Sequence, residues 1–301
     1  MKQGFTLIEL AIVLVIIGLI VGGVLVGQNL ISASEVRAQI TQIEKYNTAA
    51  NTFRGKFGYL PGDINPTAAA QFGFAARGTK AGMGDGNGVI EGIGTTGGGN
   101  CGMCTGGGET AMFWVDLSSP VAGNLIDGGF STATSTTVAG SDITGTTLNL
   151  YMPQAKLGRG NYVFVWAPMN WNGSDNQNYG INYFGVAAVS SIPVGSSNGK
   201  VNSSLNIPVA QAYAIDKKVD DGLPQTGNVI TVYLNNQSEW WPDGFNSNSY
   251  LYWPSYKTTG GIPSSSTSCY DNGNVSGVVP TYSVQVNGGA GPNCALDFKL
   301  Q

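Results

Sequence analysis

Gly4-Phe5-Thr6-Leu7-Ile8-Glu9-Leu10 decides how the rest of the chain is read. Lys2 precedes it, and after Glu9 no charged residue follows until Glu35. The uncharged run, residues 10–34, exceeds the roughly 20 residues a helix needs to cross a bilayer, so it reads as a transmembrane segment. Lys2 on the short flank predicts a cytoplasmic N-terminus with the bulk of the chain beyond the membrane, because basic residues concentrate on cytoplasmic flanks. A cleaved secretory signal also has a basic start and an apolar run, and Ser32-Ala33-Ser34 imitates its small-residue cleavage site. The length of the run opposes that reading, and so does Glu9 at its very start. A carboxylate in a bilayer costs on the order of a few kcal/mol, so Glu9 marks function and needs a partner.

Beyond the membrane the same helix continues. Val36, Ile40, Ile43, Tyr46, Ala50, Phe53 and Phe57 recur at steps of three and four and form one apolar face. Glu35, Arg37, Gln39, Glu44, Lys45 and Arg54 make the polar side, which suits a helix half embedded in a globular head. A coiled-coil dimer uses a similar stripe, but a sheet later in the same chain is the more economical partner. Gly55, Gly58 and Pro61-Gly62 end the helix.

The segment from Gly4 to Glu9 ahead of an apolar stretch resembles the prepilin cleavage and methylation motif of type IV pilins and type II secretion pseudopilins. The resemblance implies cleavage between Gly4 and Phe5 by a prepilin peptidase, N-methylation of the new Phe5 amine, and retention of the apolar segment as the filament's packing helix. It also implies that Glu9 of a neighbouring subunit compensates the Phe5 amine among packed helices. The implied partners are other pilin-like subunits, the peptidase, an inner-membrane assembly platform and the lipid bilayer. The implied path runs from a single-pass inner-membrane precursor to a cell-surface or periplasmic filament. Residues 1–4 are then a leader, 5–57 the helix (10–34 transmembrane, 35–57 amphipathic) and 58–301 an extracytoplasmic head. One departure is notable: many family members carry a proline near the middle of this helix, and none lies between Phe5 and Phe57. Gly18, Gly22, Gly23 and Gly27 serve either to loosen the helix or to let neighbouring backbones approach closely.

Composition agrees with an extracytoplasmic, turn-rich β head. Charged residues are 11% of the 301-residue chain and glycines number 45. A formal charge of −4 provides no electrostatic footprint for nucleic acid, so none is expected as a partner. Histidine is absent, which removes the commonest general base and metal ligand. Four cysteines, Cys101, Cys104, Cys269 and Cys294, fit an oxidising compartment and allow three disulfide connectivities. Proximity in sequence favours Cys269 with Cys294 and Cys101 with Cys104. A zinc site is the rival use, opposed by the wide, unequal second spacing.

Past Asp63 comes a Gly-rich insertion, residues 78–108, then a short helix over 109–117 whose Phe113-Trp114 pair could plug onto a sheet. Strands are expected over 147–152, 162–167, 181–189, 229–234 and 279–286, and a helix over 207–219 with Pro208 in its first turn. The fold class is therefore α+β: a long N-terminal helix packed on an antiparallel sheet with large Gly-rich loops. Tyr59-Leu60-Pro61-Gly62-Asp63, and Asp216 to Gly222 with Pro224 and Gly227, are similar to segments of other prepilin-like proteins.

Two stretches of the head invite calcium. Asp85-Gly86-Asn87-Gly88-Val89-Ile90-Glu91 alternates oxygen side chains with glycine, so Asp85, Asn87 and Glu91 are candidate ligands. Asp216, Asp220 and Asp221 form a second acidic set. Some pseudopilins bind calcium in the head, while Asp and Asn also simply favour turns. Trp240, Trp241, Tyr250, Tyr252 and Trp253 suit either a core beneath long loops or a glycan-binding face, and hence an adhesin or binding module as the alternative function. No nucleophile elbow, phosphate loop or dinucleotide fingerprint occurs, and a structural subunit without enzymatic activity is expected.

Overall fold

The computed structural model describes residues 6–78, 82–93, 100–101, 104–130, 142–167, 181–192, 201–233, 268–275, 277–286 and 288–301. A single helix, α1 (Leu7–Phe57), runs for 51 residues. It ends where Gly58 adopts the left-handed conformation, φ 78, and returns its N–H to the Arg54 carbonyl. Glycine is the residue that does this without a Cβ penalty.

The two halves of α1 have different surroundings. From Leu7 to Ile31 every large apolar side chain stands at least half exposed, whereas Val36, Ile43, Tyr46, Ala49, Ala50 and Phe53 are buried in the head. Ile40 and Phe57 pack partly buried against that core. Gln39, expected on the polar side, is instead fully buried, and Gln42 is nearly so. Their amides satisfy loop backbone: Gln39 Oε1 accepts from Leu157 N at 3.1 Å, and Gln42 Oε1 accepts from Lys156 N at 2.9 Å. Neutral amides bury at low cost when they answer backbone groups that would otherwise go unpaired.

After α1 come α2 (Pro66–Phe72), the short strands β1 (Gly92–Ile93) and β2 (Asn100–Cys101), and α3 (Glu109–Ser118). The head's sheet then forms from β3 (Ile143–Thr144), β4 (Tyr162–Trp166), β5 (Tyr183–Ile192), β6 (Asn202–Ser204), β7 (Val229–Tyr233) and β10 (Cys294–Lys299). Between β6 and β7 lies α4 (Val209–Val219), and between β7 and β10 lie β8 (Tyr270–Asp271), β9 (Thr281–Tyr282) and the one-turn α5 (Ser283–Val286).

β5 is the hub of the six-stranded antiparallel sheet. It pairs with β4 and β10 along one half, and with β3 and β6 along the other, while β7 completes the β10 side. Strand β5 is buried over seven consecutive residues, the mark of a strand covered on both faces. Helix α1 lies against the sheet through Tyr46, whose ring is 6.1 Å from that of Phe184 and 5.1 Å from that of Trp114 on α3. α3 also packs on β4, and α4 packs on α1, β7 and β10. The expected contact of Phe113 and Trp114 with the sheet is thus present.

Some expected elements differ. Residues 147–152 form the end of a 3-10 helix, Gly145–Leu150, and the turn after it, not a strand. Leu148 and Met152 reach the core while Leu150 between them is exposed, whereas a strand would set all three on one face. In place of a strand over 279–286 there are two β9 residues followed by α5, with Val279 and Val286 exposed. Pro208 is the N-cap of α4 and lies just before its first turn.

A buried ion pair fastens the loops beside α3. Arg77 Nη2 contacts both oxygens of Asp116 at 2.7 and 2.6 Å with both side chains fully buried, and Asp116 Oδ2 also accepts from Gly62 N at 2.7 Å. A buried charge pair persists only when geometry and further hydrogen bonds offset desolvation, as they do here.

Candidate functional site

The N-terminal end of α1 is built by two side chains. Thr6 is the N-cap, and its Oγ1 accepts from Glu9 N while the Glu9 carboxylate accepts from Thr6 N at 2.8 Å and from Thr6 Oγ1 at 2.7 Å. This reciprocal capping box satisfies donors that a helix start leaves unpaired. Glu9 therefore has an intrachain partner before any neighbour arrives. Both partner atoms lie on the C-terminal side of the Gly4–Phe5 bond, so the box does not depend on the leader. Gly4 and Phe5 themselves lie outside the described residues.

Above Glu9, the helix is long and apolar enough to cross a membrane by length and composition. Gly18, Gly22, Gly23 and Gly27 meet nothing within 4 Å of a built Cβ, so the fold of this chain alone does not require them to be glycine. Contact with the head begins one residue past Ile31: Gln211 of α4 donates to Ser32 Oγ at 3.2 Å and to Glu35 Oε2 at 2.7 Å. The apolar segment thus enters the head as part of one continuous helix, α1, braced by α4 at its exit.

Cys269 and Cys294 are joined in a disulfide, Cα atoms 5.3 Å apart, tying the residue before β8 to the first residue of β10. Cys104 is buried and also disulfide-bonded, while the side chain of Cys101, its expected partner, lies outside the described residues. With these cysteines in disulfides, no four-thiolate zinc site remains.

Around Asp85 the structure adds two carboxylates from outside the loop that carries it. Asp85 converges with Asp63, from the turn after α1, and Glu109, the first residue of α3; their carboxylate oxygens lie within 4.8 Å of one another. Asp63 accepts from Gly86 N at 2.7 Å and Gly88 N at 2.8 Å, and Glu109 accepts from Gly84 N at 2.8 Å and Glu91 N at 2.9 Å. Asn87 links the two other expected ligands, donating Nδ2 to Asp85 Oδ2 at 3.1 Å and to Glu91 Oε1 at 3.5 Å, and its Oδ1 accepts from Val89 N at 2.7 Å. Glu91 is buried, and Glu109 feels it as a like charge. Burial lifts Asp63 to about 6 and, with repulsion from Asp63 and Glu91, lifts Glu109 well above the usual carboxylate range. Backbone amides hold this cluster together, and no basic side chain is among the groups that set either acidity. Asp63 stood in the sequence beside a Pro-Gly turn and Glu109 at a helix start; only the fold brings them to Asp85.

The second set does converge as read. Asp216, Asp220 and Asp221 place oxygens within 4.8 Å at the end of α4. Asp216 accepts from Tyr282 Oη at 2.6 Å and Gly222 N at 3.1 Å, and burial raises it to about 7. Asp220 accepts from Asn228 N and Val229 N, and a Cβ at Gly227 would overlap its carboxylate. Gly227, with φ +77, could carry no side chain here without moving the loop that enters β7. Trp240, Trp241, Tyr250, Tyr252 and Trp253 lie outside the described residues.

Compared with known proteins, residues 1–25 match the family model described as the prokaryotic N-terminal methylation motif. No curated protein and no solved structure matches the chain.

Proposed function

Because the chain carries the N-terminal signal of type IV pilins and pseudopilins, we propose that it is a structural subunit of a type IV pilus-like or type II secretion pseudopilus filament. On this reading residues 1–4 are a leader removed by a prepilin peptidase, 5–57 the helix and 58–301 the extracytoplasmic head. Phe5 becomes the methylated N-terminus. The precursor is a single-pass inner-membrane protein, from which an assembly platform draws the subunit into a surface or periplasmic filament. Its partners there are further pilin-like subunits. Pilin-like proteins are structural rather than enzymatic, and no catalytic role is assigned.

The observation that carries the reading is the bare helix from Leu7 to Ile31, continuous with the head and carrying Glu9 in its first turn. Apolar side chains in that number need lipid first and the helices of other subunits afterwards. Coexpression with a prepilin peptidase and an assembly platform should yield the chain in sheared filaments. A chain that is processed yet never leaves the membrane fraction, whatever platform is supplied, would refute the subunit role.

Calcium belongs to the same proposal as a head ligand. A divalent cation at Asp63, Asp85 and Glu109, or at Asp216, Asp220 and Asp221, relieves the repulsion among carboxylates that only neutral hydrogen-bond donors offset. Support comes from the converging oxygens and the raised acidities.

A further inference from the structure

Arg159 has φ 54 and sits between Gly158 at φ 67 and Gly160 at φ 74, so three consecutive residues are left-handed. The other non-glycine residues with positive φ among those described are Asn124 and Asn274, a type whose short side chain tolerates the conformation. An arginine gains nothing locally from this backbone, and persistent outliers of this kind point to a use for the side chain. Hydrogen bonds brace the turn. Asn161 N closes it onto Gly158 O at 2.9 Å, and Asn206 Nδ2 holds the Arg159 carbonyl at 2.9 Å.

The turn descends toward the apolar end of α1. Lys156 N meets Gln42 and Leu157 N meets Gln39, so one residue of loop moves three residues down the helix, about 4.5 Å. Gly158-Arg159-Gly160, the next residues of the chain, form its exposed tip before Asn161 turns back to Ala155. Asn206 ties it to the segment entering α4, whose Gln211 grips Ser32 and Glu35 where α1 leaves the head. Arg37, exposed on α1, stands roughly 200° round the helix from Gln39 and about 9 Å past Ile31. The neighbouring acid, Glu35, is engaged by Gln211, and Lys156 acts on Asp127 instead. The headgroup layer beyond the hydrocarbon is about 5–7 Å thick, and long basic side chains extend several ångströms to reach it.

We propose that Arg159, with Arg37 on the other side of the helix, binds the phosphates of anionic lipid headgroups and seats the head of the unassembled subunit on the bilayer. The proposal rests on the membrane-anchored precursor reading. A lipid surface is the occupant because the bare half of α1 needs a bilayer, and the loop that carries Arg159 steps along α1 toward that half.

The test places the full chain in nanodiscs of phosphatidylcholine alone or with one third phosphatidylglycerol and follows hydrogen exchange across 156–161. Anionic lipid should slow exchange roughly fivefold, the factor corresponding to about 1 kcal/mol per basic residue near such a surface, and high salt should remove the effect. Arg159→Gly keeps the left-handed turn and should abolish the lipid dependence, while Arg159→Lys should keep part of it. Equal exchange in both lipids, or slowing that persists in Arg159→Gly, overturns the proposal; the latter result with low-salt sensitivity points to a neighbouring protein surface. Failure of the chain to enter nanodiscs at all strikes the anchored-precursor reading itself and the proposal with it.

Discussion

Thr6 and Glu9 cap one another: the threonine hydroxyl accepts from the Glu9 amide, and the Glu9 carboxylate accepts from both the amide and the hydroxyl of Thr6. The carboxylate that the proposed assembly uses is thus parked on its own helix start in the single chain. Thr6→Ala should loosen that start by about 1 kcal/mol, the usual loss of an N-cap. Glu9→Leu should leave insertion intact, since it removes a carboxylate from the membrane boundary, yet lower incorporation into filaments by leaving the Phe5 amine unpaired. Equal amounts of wild-type and Glu9→Leu chain in sheared filaments would show that the carboxylate has no assembly role.

Arg77 and Asp116 form a fully buried pair. Removing one partner strands the other charge, so Arg77→Met should destabilise the head by about 3–5 kcal/mol in chemical denaturation. The double variant Arg77→Met, Asp116→Leu should recover part of the loss, limited by Gly62 N, which then lacks its acceptor. A single variant within about 1 kcal/mol of wild type would contradict the burial.

The disulfide between Cys269 and Cys294 spans 25 residues of sequence and anchors β10. Closing a loop of that length stabilises by roughly 3 kcal/mol through the unfolded state. Cys269→Ala with Cys294→Ala should lower stability by about that amount, and peptide mapping without reductant should recover the two cysteines in one linked pair. Free thiols at both positions in protein from the oxidising compartment would contradict the bond.

Calcium and pH address the Asp63, Asp85 and Glu109 cluster together. The folded acidity of Asp63, about 6, lies above its ordinary value, so the folded state binds its proton more tightly than the unfolded chain does. In chelator its contribution is complete below about pH 4 and is lost as pH rises through 6. Melting temperature should therefore fall across pH 4–7 without metal, and millimolar calcium should flatten the upper part of that decline. Asp85→Asn should weaken the calcium response. A melting curve indifferent to calcium at every pH would leave protons and neutral hydrogen-bond donors as all that offset the cluster's charge.

The N-terminal reading and the long helix were legible because membrane length, a single carboxylate and a three-four apolar spacing are local signals. Strands β4, β5 and β7 were legible from β-branched and aromatic runs at 162–167, 181–189 and 229–234. Strand β10 was missed because Cys294 to Lys299 is short and includes Asp297, whose carboxylate accepts from Trp166 Nε1 at 2.8 Å inside the core. Gln39 was misassigned for a similar reason: its polarity answers a backbone group of Leu157, 118 residues away in sequence. The Asp85 cluster could not be read from spacing either, because Asp63 and Glu109 reach it across 22 and 24 residues of chain. Long-range satisfaction of buried polar groups leaves no periodic trace in sequence.

Intact-mass analysis of the membrane-extracted chain, made in a cell with a prepilin peptidase, tests the central claim most directly. Loss of residues 1–4 together with one added methyl group on Phe5 is the predicted result, and tandem fragmentation should place that methyl on the α-amine. An uncut chain, or one that begins after Ala33 or Ser34 with the apolar helix removed, would contradict it.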